Sequence, residues 1–177
     1  MHWIDPNSLS ETRGNVVRFL YNTHGDADGF MLDGNREVHV PPRLSTQLLR
    51  KVKIGDSVGV RGVKPRGVDM VAAVAVIPAH GKQIMDEGPG WKQESQHPKR
   101  SKSKVEIDGI VQTTLHAPKG EVSGGVLASG DIVRMAPKEN AALAHFFTVG
   151  SAISVWGDAI TIKGQRIVDL KHVALQP

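Results

Sequence analysis

The chain has 177 residues, room for one medium domain or two small ones, and its 40% hydrophobic and 23% charged residues exclude disorder throughout. No apolar run reaches the ~18 residues of a membrane helix, and the opening Met1-His2-Trp3-Ile4-Asp5-Pro6 has no cationic start or apolar stretch, so a cytoplasmic protein without a membrane span is expected. The absence of cysteine excludes disulfides, thiolate metal sites and cysteine nucleophiles, and a net charge of +4 is too small to name a partner.

In chain order, the β-branched and aromatic stretch 15–21 reads as a first strand, and Asn22-Thr23-His24-Gly25-Asp26 as a turn. A second strand over 30–32 meets the Asp33-Gly34-Asn35 hairpin turn and a third strand over 37–40. Pro41-Pro42 ends that strand, because proline has no N–H for a ladder. Leu44, Leu48, Leu49 and Val52 then recur at helical spacing and predict a short amphipathic helix. Gly55-Asp56 turns the chain into a strand over 57–61, Lys64-Pro65-Arg66-Gly67 makes a further turn, and 68–77 forms a last strand.

Residues 79–104 are rich in Gly, Pro, Ser, Gln and Lys and read as a flexible basic linker, with Ile84 and Trp91 as its sizeable apolar anchors and Lys99, Arg100, Lys102 and Lys104 at its basic end. Beyond it the pattern recurs: strands over 110–116, 124–127 and 132–135, a helix over 140–147, and strands over 152–156 and 166–173. An ungapped match at an offset of 95 pairs residues 14–62 with 109–157, and the identical pairs are almost all Gly, Pro or aliphatic, as in Gly29/Gly124, Val38/Val133 and Gly62/Gly157. Such residues keep a backbone and a core rather than an active site. The organisation is therefore a first barrel over 1–78 with an N-terminal extension, a linker over 79–104 and a second barrel over 105–177.

Strand, strand, strand, helix, strand, strand resembles the oligonucleotide/oligosaccharide-binding (OB) superfamily, whose one helix lies between the third and fourth strands of a five-stranded Greek-key barrel. The sequence is also similar to bacterial proteins that carry a Gly-rich hairpin followed by Val38-His39-Val40-Pro41-Pro42. The fold class expected is all-β, two tandem OB-type barrels, with an SH3-like barrel as the competing five-stranded reading.

The resemblance implies a ligand lying across the second and third strands, between the loops joining strands one to two and four to five. Alternation from Val16, Leu20, Val38 and Val60, taken as inward, turns Phe19, Tyr21, His39 and Arg61 outward. With Phe30, Arg36, Lys64 and Arg66 they compose a candidate face of aromatic planes and cations, the composition that single-stranded DNA or RNA requires. The competing reading has Phe19 and Phe30 completing the core. At the matching positions the second copy has Thr114, His116, Gly125, Asp131, Arg134 and Trp156, so its expected role is self-association or contact with a protein. The charge agrees, at +2 over 1–78, +3 over 79–104 and −1 over 105–177.

The eight histidines show no paired spacing of a zinc site, and Gly25-Asp26-Ala27-Asp28-Gly29 lacks the further acids of a calcium loop. There is no phosphate-binding GxxxxGK[ST], no dinucleotide GxGxxG and no GxSxG elbow. A binding protein without catalytic residues, cofactor or metal is expected, either for single-stranded nucleic acid or as an assembly scaffold.

Overall fold

The computed structural model describes residues 8–85 and 101–177. The first barrel contains β1 (Glu11–Tyr21), β2 (Ala27–Leu32), β3 (Arg36–His39), α1 (Ser45–Lys51), β4 (Ser57–Val63) and β5 (Met70–Ile77). Around it the strands run β3-β2-β1-β4-β5, and a parallel β3–β5 pairing, Val38 opposite Val71, closes the circle. This order, with the helix between β3 and β4, is the OB topology. The second barrel repeats it with β7 (Ser103–His116), β8 (Val122–Leu127), β9 (Ile132–Arg134), α2 (Asn140–Leu143), β10 (Ala152–Ile162) and β11 (Gln165–Leu175), closed by parallel β9–β11.

Local chemistry sets the helix. Pro42 opens a 3-10 turn over Pro42–Leu44 that leads into α1, and the buried Ser45 hydroxyl accepts the Ala27 N–H at 2.8 Å, fixing the helix to the start of β2. Leu44 and Leu48 are buried, and the chain leaves the helix at Val52, which is extended. In the second barrel the α-helical part stops at Leu143 and tightens into a 3-10 turn over Ala144–Phe147, so the helix expected over 140–147 has two parts, with Phe147 fully buried at its end.

The offset of 95 holds at the level of single hydrogen bonds. Val16 N–H to Asp56 C=O recurs as Val111 to Ser151, Gly55 to Val16 as Gly150 to Val111, Val40 to Asp28 as Met135 to Ser123, and Asp33 to Asn15 as Ala128 to Ile110. The β-bulge between Arg61 and Gly62 recurs between Trp156 and Gly157.

Most glycines kept in both copies stand at close approaches rather than in turns. A Cβ on Gly29 or Gly124 would collide with the Val38 or Val133 carbonyl oxygen, and one on Gly62 or Gly157 with that of Ala72 or Asp169. Glycine here lets neighbouring backbones touch, while Gly25/Gly120 and Gly55/Gly150 are the pairs kept for positive φ.

Two strand segments fall inside the span expected to be linker. Ile84–Met85 forms β6, antiparallel to β5 with Ile84 fully buried opposite Val76, and β7 already begins at Ser103. Trp91, Lys99 and Arg100 lie outside the described residues.

Candidate nucleic-acid interface

Val16, Leu20, Val38 and Val60 are all buried, but so are both neighbours of Leu20, so alternation from Val16 does not extend to it. The aromatic half of the expected face is not available on the surface. Phe30 is 0% exposed, Phe19 7% and Tyr21 4%, which corrects their assignment as outward stacking planes.

Register supplies the reason. Phe30 stands opposite Val38 in the β2–β3 ladder, and directly opposed residues share a face, so Phe30 follows Val38 into the core. For Phe19 the second copy offers the parallel: the β7–β8 register skips Gln112 between Val111 and Thr113, so alternation counted from Val111 does not carry past that residue. Thr114 then stands opposite Gly125, whose Cβ position points at the Phe147 ring in the second core. Phe19 and Phe30 hold the positions of this pair. A second shift, between Leu115 and His116, falls at the position of Tyr21, so alternation counted from Val16 does not reach it.

The two cores consequently place their aromatic volume differently. The first has Phe19 and Phe30 on the strands and the smaller Val52 after the helix; the second has Thr114 and Gly125 on the strands and Phe147 after the helix. Phe147 fills the space beside Gly125, its Cδ1 lying 3.1 Å from where a Cβ would be, and its carbonyl accepts the Thr114 hydroxyl at 2.5 Å.

The cationic half of the face divides. Arg61 points outward, but Nη1 donates to the Leu9 carbonyl at 2.7 Å and Nη2 lies 3.8 Å from Glu11, which also holds Arg13 at 2.6 Å. Its charge is committed within the barrel, which removes it from the candidate contacts. Arg36, Lys64 and Arg66 are exposed, and none makes an ion pair with another described residue.

Topology gathers these three at one end of the barrel. Glu37 pairs with Met70 across β3–β5, and its N–H reaches the Asp69 carbonyl at 3.4 Å, so Arg36 adjoins the loop over 64–69 that carries Lys64 and Arg66. Of the acids here, Asp33 already accepts the Asn15 N–H at 2.9 Å, and Asp69 is exposed. His39 faces outward between Gly29 and Ala72 and is partly exposed.

The position of Arg36 is Asp131 in the second barrel, and there the charge is locked. Arg166 Nη2 lies 2.8 Å from Asp131 Oδ2, the Arg166 backbone N–H donates to Oδ1 at 3.1 Å, and the Ser129 hydroxyl donates to Oδ2 at 2.9 Å. Burial pushes the Asp131 carboxyl up, but these hydrogen bonds, led by the Arg166 side chain, outweigh it and hold the pKa below its ordinary value of 3.8. A depressed folded-state pKa means that the stabilisation is complete above 3.8 and is lost as pH falls through the folded value. Asp131→Asn should therefore cost about 1–2 kcal/mol at pH 7, the lower part of the range for charged hydrogen bonds because the Arg166 side chain is 43% exposed. Urea unfolding at pH 7 and pH 3 checks this: the difference from wild type should shrink at pH 3.

Sequence reasoning did not single out the pair Trp156 and His172, farther along the β10–β11 ladder, whose ring centroids lie 5.1 Å apart. The available signal was that Glu11 and Glu106 also match at the offset of 95, just outside the ungapped stretch. Among the described residues no group of three or more His, Asp or Glu is placed to hold a metal ion, and no helix is long and apolar enough to cross a membrane.

No protein-family model and no curated protein matches the chain. Among solved structures it is similar to the wild-type single-stranded DNA binding protein from Thermus aquaticus, with 14% identity over 94% of this chain and 91% of that one and a TM-score of 0.30. A deletion variant of the same protein gives 12% identity over 94% and 93%, with a TM-score of 0.30. Values at this level carry no functional assignment.

Proposed function

We propose that the protein is a non-enzymatic binding protein whose first barrel holds single-stranded nucleic acid, DNA or RNA, through phosphate contacts from Arg36, Lys64 and Arg66. The observation behind this reading is the placement of three exposed cations, none in an ion pair with a described residue, at one end of an OB barrel. Phe19, Tyr21 and Phe30 are buried, so they do not supply base stacking, which contributes about 1–3 kcal/mol per base where it occurs. Binding should then be weak, indifferent to sequence and steep in salt.

Three phosphate contacts on a single strand predict that log K falls with log salt at a slope of about −2, close to 0.7 per contact. Fluorescence anisotropy with a labelled oligonucleotide between low and moderate salt measures it. Changing Arg36, Lys64 and Arg66 together to Ala should bring the slope close to zero, while Phe30→Leu should leave it unaltered. A lack of saturable binding at low salt, or a triple variant that binds as wild type, refutes the proposal.

A further inference from the structure

The outer face of β7–β10–β11 stands where the first barrel carries the Glu11–Arg13–Arg61 cluster, with different chemistry. At the offset of 95 the acid is kept as Glu106, Arg13 becomes Asp108 and Arg61 becomes Trp156. The register is also kept: Glu11 stands opposite Arg61, and Glu106 opposite Trp156. In the first barrel Glu11 holds two guanidinium groups, at 2.6 and 3.8 Å. In the second both cations are gone, the three positions carry two acids and one indole, and Glu106 makes no ion pair with another described residue.

The acidity is concentrated beside Trp156, at Glu106 and Asp108, while the acids farther along are matched by cations. Asp108 accepts the Ser154 hydroxyl at 2.5 Å, and Asp158 stands opposite Asp169 two positions along β10. Among the described residues, the cations matched to these acids are Lys104, opposite Asp158, Arg134, opposite Asp169, and Lys171, whose Nζ lies 3.5 Å from Asp169. None of them is a register partner of Trp156, whose neighbours across the ladder are Glu106 and His172. Trp156 is half-buried, and Glu106, Asp108 and His172 are exposed.

We propose that this face docks an arginine- or lysine-bearing segment of a partner protein, one cation lying on the Trp156 ring beside Glu106, where the first barrel supplies its own Arg61. Tryptophan is the best side-chain platform for a cation, and a carboxylate at the ring edge adds a charge-assisted hydrogen bond. The same acids repel a polyanion, so the face selects against nucleic acid and is independent of the proposal for the first barrel.

The full chain carrying Trp3→Phe and Trp91→Phe keeps Trp156 as the one tryptophan of the original three. Titrating it with an arginine-rich hexapeptide should give a saturable change in Trp156 emission. Glu106→Gln with Asp108→Asn should weaken the affinity at least about tenfold, as loss of a close charge pair does. Trp156→Arg, which rebuilds the first barrel's ion pair, should abolish peptide binding measured by calorimetry, with circular dichroism reporting that the fold persists. If that variant unfolds, the Glu106→Gln/Asp108→Asn variant decides. An equal response to an acidic hexapeptide or to an oligonucleotide, no saturable response to the cationic peptide, or unchanged affinity after the acid substitutions overturns the proposal.

Discussion

Phe147→Ala is expected to remove about 3–5 kcal/mol from the second barrel, enough to leave it largely unfolded at 37 °C, because it deletes a fully buried ring whose space the surrounding sheet cannot close. Phe147 belongs to the same core cluster as Val111, Leu127 and Val155, and it lies against Gly125, where no side chain stands to collapse into the hole. The first barrel suggests the rescue. Phe147→Val with Gly125→Phe reproduces the Val52 and Phe30 arrangement, so the double variant should be more stable than the sum of the two single losses, with a coupling of about 1–3 kcal/mol. Urea titration followed by Trp156 emission in the single-tryptophan background measures all three. Strict additivity would show that the two positions do not share one volume.

The second large effect is expected at Gly124. Its Cβ position collides with the Val133 carbonyl oxygen, and its φ of 142° is itself unfavourable for any other residue. Gly124→Ala must therefore push β8 and β9 apart at a paired position, at a cost of about 3 kcal/mol or more. Gly130→Ala is the control: φ is 95° there, nothing lies within 4 Å of the Cβ, and only the left-handed cost of about 1 kcal/mol applies. Thermal melts of the two variants separate close approach from backbone conformation. A smaller loss at Gly124 than at Gly130 would contradict the packing account.

The duplication was legible in the sequence because the two copies share what a small barrel cannot vary: glycines at strand crossings, such as Gly29/Gly124 and Gly62/Gly157, and aliphatics such as Val38/Val133 at the centre of the ladder. Element order followed from Asp33-Gly34, Pro41-Pro42 and the helical spacing of Leu44 and Leu48. The facing of Phe19 was hidden, because alternation need not persist along a strand: in the second copy the register skips Gln112, one position before the match to Phe19's neighbour, and such a bulge leaves no mark in composition. Phe30 was misplaced for a simpler reason: its partner Val38 was known to be inward, but their register was not. Arg61 looked free because Glu11 lies 50 positions away in sequence and meets it only across β1–β4. β10 and β11 are joined by the tight Lys163-Gly164 turn, with positive φ at both residues, so their pairing runs up to Ile162 and Gln165.

The exchange of bulk between strand and helix has a bearing on how a tandem repeat folds without confusing its halves. Were β2 to enter the second sheet in place of β8, Phe30 would meet Phe147 in a space that holds one ring; were β8 to enter the first, Gly125 would face Val52 across an empty volume. Either mistake is penalised, by overcrowding in one case and by a void in the other. Two look-alike neighbours on a single polypeptide, each at high effective concentration for the other, are thereby discouraged from trading strands.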